Sequence, residues 1–238
     1  MLVKKECYKL IKKFYGNIPS RDKLLEKEIL SNINSQSVVL DAGCGFDAAV
    51  LSKYSYLVKL PIGIDLIEDF SVHDNKIKLI TANLENLPFK DNSIDLCFSR
   101  SVCEHLKNPY KVFKEIKRVL KPGGKIIMVT PNKWHYSSII SSVLPTSFKS
   151  YFLKKVFGEH AYDNFPTFYK ANTKYAIKNI VNKTGLKIEK IIFIRHYPYP
   201  FMFSIPLFRL AILYDQFITK LRLDNLQDTL LFILVKNE

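Results

Sequence analysis

Asp41, Gly43 and Gly45 close an apolar run, Val38-Val39-Leu40-Asp41-Ala42-Gly43-Cys44-Gly45. Such a run ending in Asp-x-Gly-x-Gly reads as a buried strand entering a tight turn. The two glycines let the backbone bend sharply and let a ligand lie against its peptide N–H groups. A helix from Ala48 to about Lys53 is expected next. Its first N–H groups and positive dipole end would suit a carboxylate or phosphate.

Two cofactors fit that turn, a dinucleotide and S-adenosylmethionine. Gly43-x-Gly45-x-x-Ala48 satisfies the loose dinucleotide fingerprint, and Asp65 stands about twenty residues on, where a ribose-binding acid is expected. Asp41 argues the other way. A carboxylate two residues before the first glycine repels a pyrophosphate but can face the ammonium of a bound amino acid. A strand–turn–helix corner with no ligand is the bland alternative.

Further along, His105 follows the fourth expected strand by six residues. It is the candidate general base, against a competing role in ordering a helix start or packing on the cofactor. His135, Tyr136, His160, Tyr162 and Tyr169 are the candidates for an acceptor pocket.

These residues need a scaffold, and the chain has the length for one. Its 238 residues, 47% hydrophobic and 24% charged, fit one globular domain with a sizeable core. Cys7, Cys44, Cys97 and Cys103 are scattered, with no C-x-x-C pair and no zinc spacing. A reducing compartment is expected, with neither a disulfide framework nor a metal. The first residues carry charge where a signal peptide needs an apolar core, and no apolar run approaches ~18 residues. A cytoplasmic protein is therefore expected. The net charge of +14 favours anionic surroundings, unless it reflects only a Lys-rich coding bias.

Residues 3–15 read as an amphipathic helix with a basic face, ended by Gly16 and Pro19. Ser20 caps a second helix to about Leu30. Strands are expected at 38–42, 58–66, 77–81, 94–99 and 125–130. A helix begins at Asn108-Pro109 and is stopped by Pro122-Gly123-Gly124. Alternating strands and helices imply parallel βαβ units in a doubly wound α/β sheet, with the ligand beyond the carboxyl ends of the strands. Residues 131–168 read as an acceptor-side insertion with short helices. Thr173 caps a helix ended by Gly185, followed by a strand at 186–195. A Pro- and aromatic-rich turn at 196–203 opens the apolar segment 198–223, helical from Ile205, which leads to a last strand, 229–236.

With these elements placed, the chain resembles the class I S-adenosylmethionine-dependent methyltransferases, especially the small-molecule group. The matching residues are Asp41-x-Gly43-x-Gly45, Gly63-Ile64-Asp65, Asn83-x-x-Asn86-Leu87-Pro88-Phe89, Ser93-Ile94-Asp95, Glu104-His105 and Leu120-Lys121-Pro122-Gly123-Gly124. The resemblance implies a seven-stranded, mostly parallel Rossmann-like sheet whose last strand is antiparallel, with helices on both faces. It also implies a cofactor site. Asp41, Ala42, Gly43, Cys44 and Gly45 would lie along the methionine portion, with Ser99 facing it. Asp65 would take the ribose hydroxyls, Leu66 and Leu84 would sandwich the adenine, and Asn83 would accept from its amino group. Asp47 stands where the family usually has a third glycine, and Asn83 where it usually has Asp.

The expected activity is methyl transfer to a small-molecule, glycan or lipid-linked acceptor. Its alternatives are an inactive cofactor-binding scaffold and an RNA methyltransferase using the basic surface. No RNA-binding module is recognisable, which disfavours nucleic acid. The apolar residues 198–214, with Phe148, Tyr151, Phe152, Lys154, Lys155 and Phe157, have the aromatic–lysine mix of an interfacial segment. Docking at an anionic inner membrane face competes there with a core helix and a homodimer contact.

Overall fold

The computed structural model describes residues 2–72, 74–143 and 165–237. Seven strands form one sheet in the order β3-β2-β1-β4-β5-β7-β6. They are β1 (Val38–Ala42), β2 (Leu60–Asp65), β3 (Lys78–Thr81), β4 (Ile94–Arg100), β5 (Leu120–Pro131), β6 (Leu186–Ile194) and β7 (Thr229–Lys236). β1 pairs in parallel with β2 and β4, as do β2 with β3 and β4 with β5. β7 runs antiparallel to both β5 and β6, so the last strand alone reverses direction.

The helices are α1 (Leu2–Tyr15), α2 (Arg21–Leu30), α3 (Pro109–Val119), α4 (Tyr136–Val143), α5 (Lys174–Thr184) and α6 (Ile205–Lys220). Their ends follow local chemistry. Ser20 accepts from the Lys23 N–H and Thr173 from the Ala176 N–H, each satisfying a donor the helix cannot pair itself. Pro109 occupies the first turn of α3, where its missing N–H costs nothing. Gly185 closes α5 in the left-handed conformation.

α3 turns Val112, Phe113, Ile116 and Val119 onto one face of the sheet, beside Ile177 and Ile180 of α5. Each such fully buried side chain contributes about 1.5–3 kcal/mol. Leu25 and Ile29 of α2 pack on the opposite face, with Phe98 and Leu231. A smaller cluster holds α1 against α6 through Cys7, Tyr15, Phe208 and Ile212. Tyr15 fastens that seam by donating to Asp215 at 2.5 Å.

Two expectations need correction. No α-helix follows the glycine turn: Leu51–Lys53 and Ser55–Leu57 are separate 3-10 turns. Ala48 has φ 44°, and the Asp47 carboxylate accepts the Ala49 N–H at 3.2 Å, a local bond that competes with helical pairing. Leu51 and Tyr54 are then drawn into the core. The second correction concerns Pro122-Gly123-Gly124, which lies inside β5. The β4–β5 register shifts between Ile94 and Leu96, and the ladder absorbs the break.

Several motif residues serve the scaffold. Asp95 accepts the Val38 N–H at 2.8 Å and pairs with Lys121 at 2.7 Å, tying β1, β4 and β5 together at their entry ends. Arg118 donates to the Leu87 and Phe89 carbonyls, fixing the loop after Asn83.

Candidate active site

Strand order reverses at β1, whose neighbours β2 and β4 are followed outward in opposite directions. Ligands of open α/β sheets bind in the crevice beyond such a switch point. Asp41, Gly43, Gly45, Asp65 and Ser99 all stand there, at or just past the carboxyl ends of β1, β2 and β4.

The turn is held from beneath. Gly43 and Cys44 donate their N–H groups to the Ile64 carbonyl at 2.7 and 3.0 Å. Gly43 has φ 81°, and a Cβ there would fall 2.2 Å from a Val102 methyl. Gly45 differs: its φ is 70°, but a Cβ would meet nothing within 4 Å. Fold packing dictates the first glycine. The second leaves an open cradle.

Asp65 spans that cradle. One carboxylate oxygen accepts the Gly45 N–H at 2.8 Å and the other the Leu66 N–H at 2.7 Å. Each oxygen retains acceptor capacity, which suits a pair of adjacent hydroxyls. Asp41, in contrast, is 2% exposed. Burial pushes its carboxyl up to about 8; Arg100 partly offsets this and Asp65 adds to it. A buried carboxyl of that kind is stabilised in its charged form by any cation brought beside it. These groups fit the ammonium, backbone and ribose of S-adenosylmethionine. They fit a dinucleotide poorly, because no α-helix among the described residues 46–57 presents its N-terminus to a pyrophosphate.

Other expected cofactor residues are placed less simply. Ser99 is buried and its hydroxyl donates to the Ala42 carbonyl at 2.6 Å, pinning β4 to β1 rather than facing a ligand. Leu84 packs into the core and Leu66 is exposed, so only Leu66 offers a free apolar surface to an adenine. The Asn83 amide oxygen already accepts the Glu85 N–H at 2.9 Å. Ala42 and Cys44 are buried under the turn, and burial raises the Cys44 thiol far above its usual range.

His105 ends the short turn Cys103–His105 beyond β4. Its Nδ1 lies 3.1 Å from the Pro166 carbonyl. A carbonyl can only accept, so neutral His105 carries its proton on Nδ1 and leaves Nε2 as a base. Glu104 anchors this turn, and its motif membership alone assigned it no role. Its Oε2 accepts from Thr130 at 2.9 Å, and its backbone carbonyl accepts the Phe168 and Tyr169 N–H groups at 2.6 and 3.2 Å. Burial raises the Glu104 carboxyl. Asn172 completes the cluster by donating to Thr130 at 2.5 Å, while its own Oδ1, fully buried, has no partner.

Of the acceptor candidates, Tyr169 is therefore tied to the His105 turn. His135 and Tyr136 belong to a second cluster. His135 is buried, with Nδ1 2.7 Å from Ser137 Oγ and 3.2 Å from Asp228; burial lowers its pKa and Asp228 opposes this. Tyr136 stacks on Phe201 and meets Tyr214 edge-on. His160 and Tyr162 lie outside the described residues, as do Phe148, Tyr151, Phe152, Lys154, Lys155 and Phe157.

Residues 40–128 match the family model described as a methyltransferase domain. That span carries the glycine turn, Asp65 and His105. These residues match a methyltransferase domain, set in a sheet of the class I methyltransferase fold. Across 144 residues the chain is 36% identical to an uncharacterised protein of Methanocaldococcus jannaschii, covering 60% of each. It is 30% identical over 119 residues to the sterol 4-C-methyltransferase strm-1 of Caenorhabditis elegans, covering 42% of this chain and 35% of that one. The chain thus aligns with less than two thirds of either relative's length. The methyltransferase fold extends further than these matches. An S-adenosylmethionine-dependent methyltransferase from Mesorhizobium loti superposes with TM-score 0.61 at 15% identity, covering 91% of this chain and 98% of that one.

Proposed function

We propose that this chain moves a methyl group from S-adenosylmethionine to a small-molecule, glycan or lipid-linked acceptor. The observation that carries this reading is the open Gly45 cradle, bridged by Asp65 and flanked by buried Asp41 at the switch point. In it, Asp41 holds the ammonium, the Gly43–Gly45 backbone the methionine chain, and Asp65 the ribose hydroxyls. Leu66 covers one face of the adenine, at whose edge Asn83 stands. Ala42, Cys44, Leu84 and Ser99 shape the floor.

The bound cofactor supplies an electrophilic methyl on sulfur, so the protein's task is mainly to align the acceptor in line with that bond. His105 Nε2 accepts a proton where the acceptor atom carries one. The Caenorhabditis elegans relative is named for action on a sterol, which supports an apolar, lipid-derived acceptor. Tyr169, tied to the His105 turn, supports an acceptor pocket there, while His135 and Tyr136 of the second cluster, with His160 and Tyr162, remain candidates.

Calorimetry with S-adenosylhomocysteine and with NAD tests the cofactor, with micromolar binding expected for the first and none for the second. The opposite preference overturns the reading. His105→Ala should lower turnover about a hundredfold while cofactor affinity barely moves. Lost affinity with normal residual chemistry would assign His105 to packing instead.

A further inference from the structure

α6 buries Phe208, Ala211, Ile212 and Ile218 against the body of the protein. Its opposite face is also apolar. Leu210, Leu213 and Phe217 are 64%, 61% and 59% exposed, at the three- and four-residue spacing that aligns side chains along one helix face. α4 meets α6 at its first residue, where the Tyr136 and Tyr214 ring centroids are 5.1 Å apart. α4 presents Ile140 and Val143 to solvent, Val143 at 78%. A polar face would satisfy a helix exposed only to water; α6 instead exposes leucine and phenylalanine, and α4, which touches it at Tyr136, exposes isoleucine and valine.

The rim of this face is basic. α1 carries five lysines against one glutamate and packs beside α6. Its Glu6 reaches Arg209 of α6 at 3.9 Å, which identifies the edge of α1 that borders the apolar face. Lys9 and Lys13 follow Glu6 by three and seven residues, on that same edge. Lys220, at the end of α6, repeats the Arg209 edge.

We propose that the outer face of α6 docks on an anionic lipid surface, with its apolar side chains entering the headgroup boundary and the α1 lysines pairing with lipid phosphates. Apolar insertion and lysine attraction reinforce one another on such a surface. A second copy of this chain fits the same face poorly. A two-fold interface would bring two basic rims together, in a protein whose net charge is +14. No described helix is long and apolar enough to cross a membrane, so docking would be peripheral. The inference does not depend on the methyl-transfer reading, because it concerns binding alone.

Flotation of the purified full chain with vesicles of phosphatidylcholine, with and without phosphatidylglycerol, tests it. Binding should be at least tenfold tighter with phosphatidylglycerol and weaken at high salt. Lys9→Gln with Lys13→Gln should weaken it about fivefold per lysine. Leu210→Glu with Leu213→Glu should abolish it while leaving the thermal melt unchanged. Absence of binding to either vesicle, or equal binding to both, overturns the proposal. So does light scattering that finds a dimer which the Leu210→Glu, Leu213→Glu variant splits.

Discussion

The Asp41 carboxyl, raised to about 8 by burial, gives cofactor binding a pH dependence with a definite sign. Below that value the ligand-free protein holds a proton on Asp41. An ammonium placed beside the carboxyl favours the charged form, so binding must release that proton. If pairing restores an ordinary carboxylate, affinity falls by about tenfold for each pH unit between pH 7 and pH 5. Over those two units the loss is about a hundredfold, or roughly 3 kcal/mol. Calorimetry of S-adenosylhomocysteine in two buffers of different ionisation enthalpy reads both quantities: the affinity, and about one proton released per ligand near pH 6. Asp41→Asn should bind more weakly at pH 8 and lose the slope. His105→Ala, which leaves the Asp41 surroundings named above in place, should keep it. A flat wild-type profile, or binding without proton release, refutes the reasoning.

The same carboxyl affects stability. The unfolded chain sheds this proton near pH 4 while the folded one keeps it to about 8, so ligand-free stability should fall as pH rises between them. Urea melts of Asp41→Asn should show that contribution gone. Asp65→Ala should cost about 1.5–3 kcal/mol of cofactor affinity, as expected for hydrogen bonds to a charged group, and calorimetry measures it. Gly43→Ala should lower the melting temperature sharply, because its Cβ meets Val102. Gly45→Ala, open but left-handed, should cost only about 1–2 kcal/mol of stability, and its methyl should obstruct the ligand. Equal stability losses at the two glycines would contradict this division.

Features governed by neighbours in sequence were legible in the sequence. The caps at Ser20 and Thr173, Pro109 in the first turn of α3 and Gly185 at the end of α5 need only a few adjacent residues. Apolar spacing likewise marked the strands, and their alternation with helices gave the parallel sheet. Residue types at the glycine turn left two cofactors open, and the order of the motifs along the chain, through the family resemblance, chose between them. Tertiary structure decided what partners distant in sequence control. Ser99 bonds Ala42 across 57 residues, His105 takes its tautomer from Pro166 across 61, and Leu84 joins a core assembled from the whole sheet. The expected helix at 48–53 failed for a related reason. Its local pattern was helical, but the Asp47 side chain, the left-handed Ala48 and the burial of Leu51 and Tyr54 together outweigh a short run's propensity. Spacing can place a residue at the end of a strand. Only the packed neighbours decide whether its polar atoms remain available to a ligand.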